Sequence, residues 1–206
     1  MDCEILNANQ YFSSDPPLTN RTENGASINV SVIISRLGDF QELSMTFKAR
    51  FTLLLNWFDW RVKFTNLKNT SDNVNWIGKT QQKRIWLPML IFSNCVQETS
   101  LMFDKFSALI IQRKGNPVPN SVTEILENEI FDGTENSFLY NRTYELEFNC
   151  GFELHKYPFD YQNCHVDVSN PELTCLMSSI AKISINLFFC ILRILPFCVK
   201  VHKSLE

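Results

Sequence analysis

Cys150 and Cys164 enclose thirteen residues, Gly-Phe-Glu-Leu-His-Lys-Tyr-Pro-Phe-Asp-Tyr-Gln-Asn. Two thiols at this spacing suit either a disulfide or a metal. A disulfide closing a loop of this size would stabilise the fold by about 3 kcal/mol in the chain-entropy view. The loop's centre, Tyr157-Pro158-Phe159-Asp160, calls for a rigid turn, because Pro158 fixes its own backbone angle and permits a cis bond at low cost. Flanking aromatic residues give that turn an apolar surface that can pack or protrude. His155 and His165 add nitrogen ligands nearby, but Cys-X4-His and Cys-His are not zinc-site spacings, and no metal is assigned. No serine, histidine and acid arrangement and no Gly-rich phosphate loop occurs, so an enzyme is not expected and no cofactor is implied.

The loop needs strands to hold it. Tyr144, Leu146, Phe148 and Cys150 alternate with Thr143, Glu145, Glu147 and Asn149, a strand running into the first cysteine; His165 to Val168 resumes an extended pattern after the second. The clearest strand lies upstream. Met45, Phe47, Ala49, Phe51, Leu53, Leu55 and Trp57 take every second position, with Thr46, Lys48, Arg50, Thr52 and Asn56 between them. That period of two predicts a long antiparallel strand with one core face and one wet face. Ile28 to Ile34 and Arg61 to Leu67 read as further strands, and Phe103 to Gln112 as another. Ile85 to Phe92 carries Pro88 and suits an edge. Ser121 to Phe131 has a helix-like spacing that Asp132-Gly133 ends. Many short strands separated by turn signals predict an all-β fold, an antiparallel β-sandwich of immunoglobulin-like type.

Composition narrows the setting. The 206 residues carry a net charge of -3 with both signs interspersed, so neither nucleic acid nor an anionic surface is expected as a partner. Four Asn-X-Ser/Thr sequons, at Asn20, Asn29, Asn69 and Asn141, combine with the cysteine loop to favour an extracellular compartment. Asn29, inside an expected strand, is the least favourable acceptor. Met1 to Asn20 holds no apolar run of signal-peptide length, and a preceding segment is expected.

Four ordered stretches resemble the Cys-loop neurotransmitter-gated ion channels. They are Trp57-Phe58-Asp59-Trp60-Arg61, Trp86-Leu87-Pro88 followed by Phe92-Ser93-Asn94, Phe138-Leu139-Tyr140, and the cysteine loop itself. The resemblance implies a subunit of a pentamer of homologous chains, with a small neurotransmitter bound between neighbours in an aromatic box that attracts ammonium groups. It implies a Cys150–Cys164 disulfide, with Tyr157, Pro158, Phe159 and Asp160 coupling binding to a pore. Phe92 and Ser93 fall in or beside the first binding loop, and Thr52, with Phe51 adjacent, stands where many members place an aromatic. Thr52 in that place points to an amino-acid-like ligand as readily as an amine. Trp57, Asp59, Arg61, Trp86 and Pro88 are the structural motif. Trp57 and Trp86 are expected in the core, and Asp59–Arg61 as an exposed pair contributing about 0–1 kcal/mol.

Residues 1–27 are expected as an irregular arm, 28–170 as an incomplete ligand-binding sandwich, and 171–206 as an apolar, divergent tail. The tail's uninterrupted apolar run falls short of the roughly 20 residues a bilayer needs, and Arg193 interrupts a helix over 177–199. Membrane attachment would then depend on a transmembrane domain absent from this stretch, with the domain on the extracellular face of the plasma membrane. A pore-less soluble transmitter-binding protein and a non-conducting fragment are the alternatives. An immunoglobulin-like adhesion domain is disfavoured, because its paired cysteines lie much farther apart with a tryptophan between them.

Overall fold

A computed structural model describes residues 4–7, 11–17, 28–69, 75–97, 99–100, 107–118, 129–156, 161–169, 181–188 and 200–205. In chain order the strands are β1 (Glu4–Asn7), β2 (Ile28–Gln41), β3 (Thr46–Trp57) and β4 (Val62–Thr65), followed after a short helix α1 (Lys79–Gln82) by β5 (Ile91–Phe92). Then come β6 (Thr99–Ser100), β7 (Ala108–Gln112), β8 (Ile130–Asp132), β9 (Ser137–Asn149), β10 (Tyr161–Ser169), β11 (Ala181–Phe188) and β12 (Lys200–Leu205).

β3 has partners on both sides: it pairs with β2 from Ile28↔Trp57 to Gln41↔Thr46, and with β9 from Thr46↔Asn149 to Trp57↔Phe138. Its alternation therefore sets the two faces of a five-stranded antiparallel sheet ordered β12-β2-β3-β9-β7. Phe47, Ala49, Phe51, Leu53, Leu55 and Trp57 turn inward and are buried. Opposite stands a four-stranded sheet, β11-β10-β5-β6, whose Phe92, Cys164, Val166 and Val168 join the same core. Phe51, Phe92, Tyr144 and Phe148 fill the gap between layers, with ring centroids 5.5–6.2 Å apart for the pairs that Phe92 makes. A three-stranded sheet, β1-β4-β8, closes one end through Phe64 against Phe138 at 5.3 Å. The fold is an antiparallel β-sandwich.

Several expectations change in detail. Met45 is not on the core face: it is 40 % exposed with φ 54°, in the turn before β3. The tight reversal from Gln41 to Thr46 forces the left-handed backbone there, and Leu43 stands fully exposed at its tip. The N-terminal arm contributes β1, paired with β4 from Glu4↔Thr65 to Asn7↔Val62. The region set apart as a divergent tail supplies an edge strand to each main sheet, β11 against β10 and β12 against β2. Most of the helix-like segment at 121–131 lies outside the described residues, and Ile130–Asp132 is strand. Among the described residues no helix is long and apolar enough to cross a membrane.

The exposed reading of Asp59 and Arg61 is corrected. Asp59 is 1 % exposed and accepts two bonds from the Arg61 guanidinium, Nε at 2.9 Å and Nη2 at 2.9 Å. Both residues lie in the β3–β4 turn, and Tyr11 from the arm covers them. The Tyr11 hydroxyl donates to Asp59 Oδ2 at 3.0 Å and accepts from the Trp86 backbone N–H at 2.6 Å, while the Arg61 guanidinium lies 4.5 Å from the centre of its ring. Gly133 is held against the same turn, its N–H bonded to Val62 O; a Cβ there would fall 2.1 Å from Asp59 O. Burial, with the Asp59 charge behind it, pushes the Tyr11 phenol well above its ordinary value.

Two outcomes follow from this joint. Asp59→Ala strands a largely buried guanidinium and should lose about 3–5 kcal/mol, against less than about 1 for an exposed pair, read from the urea midpoint. Because the folded protein holds the Tyr11 proton more tightly than the unfolded chain, its stabilisation is complete below pH of about 10 and lost as pH climbs toward the folded value. Urea midpoints measured across that alkaline range should fall more steeply in the wild type than in Tyr11→Phe.

Candidate functional site

The disulfide joins Cys150, just after β9, to Cys164 in β10, with Cα atoms 5.4 Å apart. Both cysteines are buried. Within the loop, Gln162 closes the base as a two-way clamp. Its Nε2 donates to Glu153 O and its Oε1 accepts from Glu153 N–H, both at 2.9 Å. Phe152 packs edge-on against Phe40 at 6.5 Å, fixing the first arm to the end of β2. Cys150 N–H donates to Met45 O at 2.8 Å, so the β2–β3 turn and the loop are one unit. The sequence-predicted coupling residues Tyr157, Pro158, Phe159 and Asp160 lie outside the described residues.

Asn94, not singled out from the sequence as a site residue, is the polar node of this region. Its Nδ2 donates to His165 O at 2.7 Å, and its Oδ1 accepts from Asp167 N–H at 2.9 Å. Its backbone carbonyl accepts from Asn149 N–H at 2.9 Å. One side chain thus ties the segment after β5 to β10 beyond Cys164, and its own carbonyl ties it to β9 before Cys150. Ser93 continues the seam, its N–H bonded to Asp167 O at 3.0 Å. The signal in the sequence was an asparagine two residues past the apolar edge segment, in the Phe92-Ser93-Asn94 stretch that carries the resemblance.

The four expected ligand contacts separate. Phe51 and Phe92 are 1 % and 2 % exposed, and their rings face each other in the core at 5.6 Å. Their placement as ligand contacts is therefore corrected to core packing: Phe51 has the inward parity of β3. Thr52 faces outward from the five-stranded sheet, its Oγ1 3.0 Å from Thr143 Oγ1 on β9. Ser93 is exposed beside the opposite layer. Thr52 and Ser93 thus lie on different layers and cannot line one pocket within a single chain. Trp57 and Trp86 are buried and meet edge-to-face at 6.3 Å, and Pro88, two residues after Trp86, is buried too.

Below Thr52 the outer face turns charged. Arg36, Gly38, Asp39, Lys48, Arg50 and Glu145 line a cleft of about 40 Å³. That volume takes a water or two, far below the space of a small-ligand pocket. Lys48 pairs with Asp39 at 3.0 Å, and that carboxylate raises the ammonium above its ordinary value. Among the described residues no group of His, Cys, Asp and Glu is arranged to hold a metal.

A family model, Neurotransmitter-gated ion-channel ligand binding domain, matches residues 4–174. A glutamate-gated chloride channel of Drosophila melanogaster is 24% identical over 168 residues, a match covering 81% of this chain and 32% of that channel. The chain therefore spans about a third of that relative's length.

Asn94→Ala removes three side-chain bonds, those with His165 O and the Asp167 N–H and a longer one from Nδ2 to Asn149 O at 3.4 Å. A loss of about 1–3 kcal/mol is expected, with faster hydrogen exchange at Asp167 than at the distant β3 amides. Equal exchange at both places would mean that Asn94 is not the node.

Proposed function

The chain belongs to the neurotransmitter-gated ion-channel ligand-binding family, whose members are ligand-gated channels and not enzymes, and from that premise we propose that it binds a small neurotransmitter between neighbouring subunits of a pentamer. The ligand is an amine or an amino acid. Glutamate is the first to try, because the Drosophila relative is a glutamate-gated chloride channel. The domain works on the extracellular face of the plasma membrane, and residues 28–170 carry the ligand-binding part of a sandwich to which β1, β11 and β12 add strands. The cysteine loop, with Tyr157, Pro158, Phe159 and Asp160 at its centre, passes binding on to the pore.

One observation carries this reading. Thr52, half-buried on the outer face of one layer, and Ser93, exposed beside the other, lie on opposite layers of the sandwich, so a site using both requires two chains, one giving its Ser93 edge and the next its Thr52 face. The Asn94 bonds offer a short route from that edge to both arms of the disulfide. Ring faces that would attract an ammonium are turned into the core at Phe51 and Phe92; this favours the amino-acid ligand, held by hydroxyl and charged groups.

The test is calorimetric titration of the secreted chain with glutamate and, separately, with choline, alongside sedimentation. Saturable binding of glutamate is expected in the assembled species and not in the monomer. Thr52→Ala and Ser93→Ala should each weaken it by about 1 kcal/mol, roughly fivefold in Kd. Binding by the monomer, or indifference to both substitutions, would sink the inter-subunit site.

A further inference from the structure

Charges of opposite sign flank the two residues through which neighbouring chains meet. On β10, Cys164, Val166 and Val168 are buried, so alternation turns Asp167 to the outer side of the four-stranded sheet. Asp167 stands across from Ser93, whose N–H donates to its carbonyl at 3.0 Å. The side chain is half-buried, and its Oδ1 is shielded from water yet accepts no hydrogen bond. A partly desolvated carboxylate oxygen without a donor is unfavourable. A cation brought to the open side of this group lowers that cost.

The matching surface is the outer face of the five-stranded sheet below Thr52. Arg50 precedes Thr52 by two residues on β3 and shares its face, about 7 Å along the strand. Arg36 lies opposite Arg50 on β2, and Glu145 lies opposite Arg50 on β9. Both arginines are exposed and line the cleft below Thr52. Like charges at directly opposing strand positions repel. Lys48 and Asp39 satisfy each other at 3.0 Å, which leaves Glu145 as the cleft's carboxylate for two guanidinium groups. Neither arginine, nor Asp167, makes an ion pair with another described residue. The cleft's charge balance has a place for one more carboxylate.

We infer that Asp167 of one chain sits against Arg36 and Arg50 of the next, an ion pair that flanks the Ser93–Thr52 site and fixes the register in which the two chains meet. This pairing rests on the inter-subunit reading proposed above. Bringing Ser93 to Thr52 carries Asp167, one strand spacing of about 5 Å from Ser93, toward Arg50. The acid and the two bases stand on outer faces of opposite layers, so one chain cannot join them to each other. A second copy can, because each copy offers one acidic edge and one basic face, a head-to-tail arrangement that closes into rings. An exposed pair contributes little affinity, but a wrong register would bring like charges together, so the pair acts chiefly on register and on the rate of encounter.

Contact is tested with Arg50→Lys, which keeps the charge and supplies an amine. Labelled (15N) and unlabelled chains of this variant are mixed and treated with a carbodiimide, which joins a touching amine and carboxylate as an amide. Mass spectrometry should find positions 50 and 167 linked with one label in each half. Sedimentation at low salt gives the second readout. Asp167→Asn leaves the backbone bonds to Ser93 and Asn94 in place and should weaken assembly about three- to fivefold. Asp167→Arg should weaken it about tenfold or more. Lys182→Ala, at the position opposite Asp167 on β11, should leave it unchanged. A mixed-label link together with weakened assembly in both Asp167 variants supports the pair. A wild type that assembles while Asp167→Arg assembles equally well overturns the pair and leaves the Thr52–Ser93 site standing. So does a loss in Lys182→Ala equal to that in Asp167→Asn, which would put the partner cation within the chain. A wild type that stays monomeric overturns both readings.

Discussion

Everything in this sandwich hangs on the pairing of β3 with strands on both sides. A central strand with both ladders filled cannot slip by one residue without turning Phe47, Phe51, Leu53 and Trp57 into water and Lys48 and Arg50 into the core. Each of those side chains is worth about 1.5–3 kcal/mol of burial, and a buried unpaired charge costs more than any one of them. The register is therefore fixed, and fixing it decides which residues can serve a ligand. Thr52 is on the wet face because Phe51 is in the core. The two cannot exchange roles.

The second constraint is polar and sits where the sheets stop. The β3–β4 turn buries a carboxylate, and such a group persists only if its partners are complete. Asp59 has the guanidinium fork of Arg61, the Arg61 N–H at 3.1 Å and the Tyr11 hydroxyl. Removing the arm would take away the phenol and open the pair to solvent, so the arm is part of the turn's chemistry and not a loose leader. Tyr11 also holds the Trp86 N–H, which places the arm at the root of the chain that runs through Pro88 to Ser93 and Asn94. A polar joint at one end of the molecule thus positions the start of the segment whose other end meets the disulfide loop.

Legibility from the sequence followed the range of the physics involved. The long strands β3 and β9 declare themselves through side-chain alternation, which is local, and the cysteine loop through spacing. The inward parity of Phe51 was visible too, but family position drew it toward the ligand, and packing decided otherwise. Burial of Asp59 and Arg61 was not legible, because what buries them is Tyr11, 48 residues away. The same holds for Asn94, whose partners at His165 and Asp167 lie more than seventy residues on. β11 and β12 read as an apolar tail because an edge strand needs only one partner and leaves little periodic trace. Met45 broke its pattern because a tight turn needed a left-handed residue at that position.

These constraints divide the sandwich into two layers with different duties. The five-stranded layer is built on the long ladders that join β2, β3 and β9. In the four-stranded layer β5 and β6 are two residues each, and Asn94 stitches β5 to both arms of the disulfide. Short strands joined by side-chain bonds open at lower cost than long ladders do. A ligand contacting Ser93 would therefore act on the β5–β6 edge, whose joints are individually weak, while the ladder of β2, β3 and β9 stays as the fixed reference. Displacement at one edge can then reach the cysteine loop without disturbing the core that defines where both edges are.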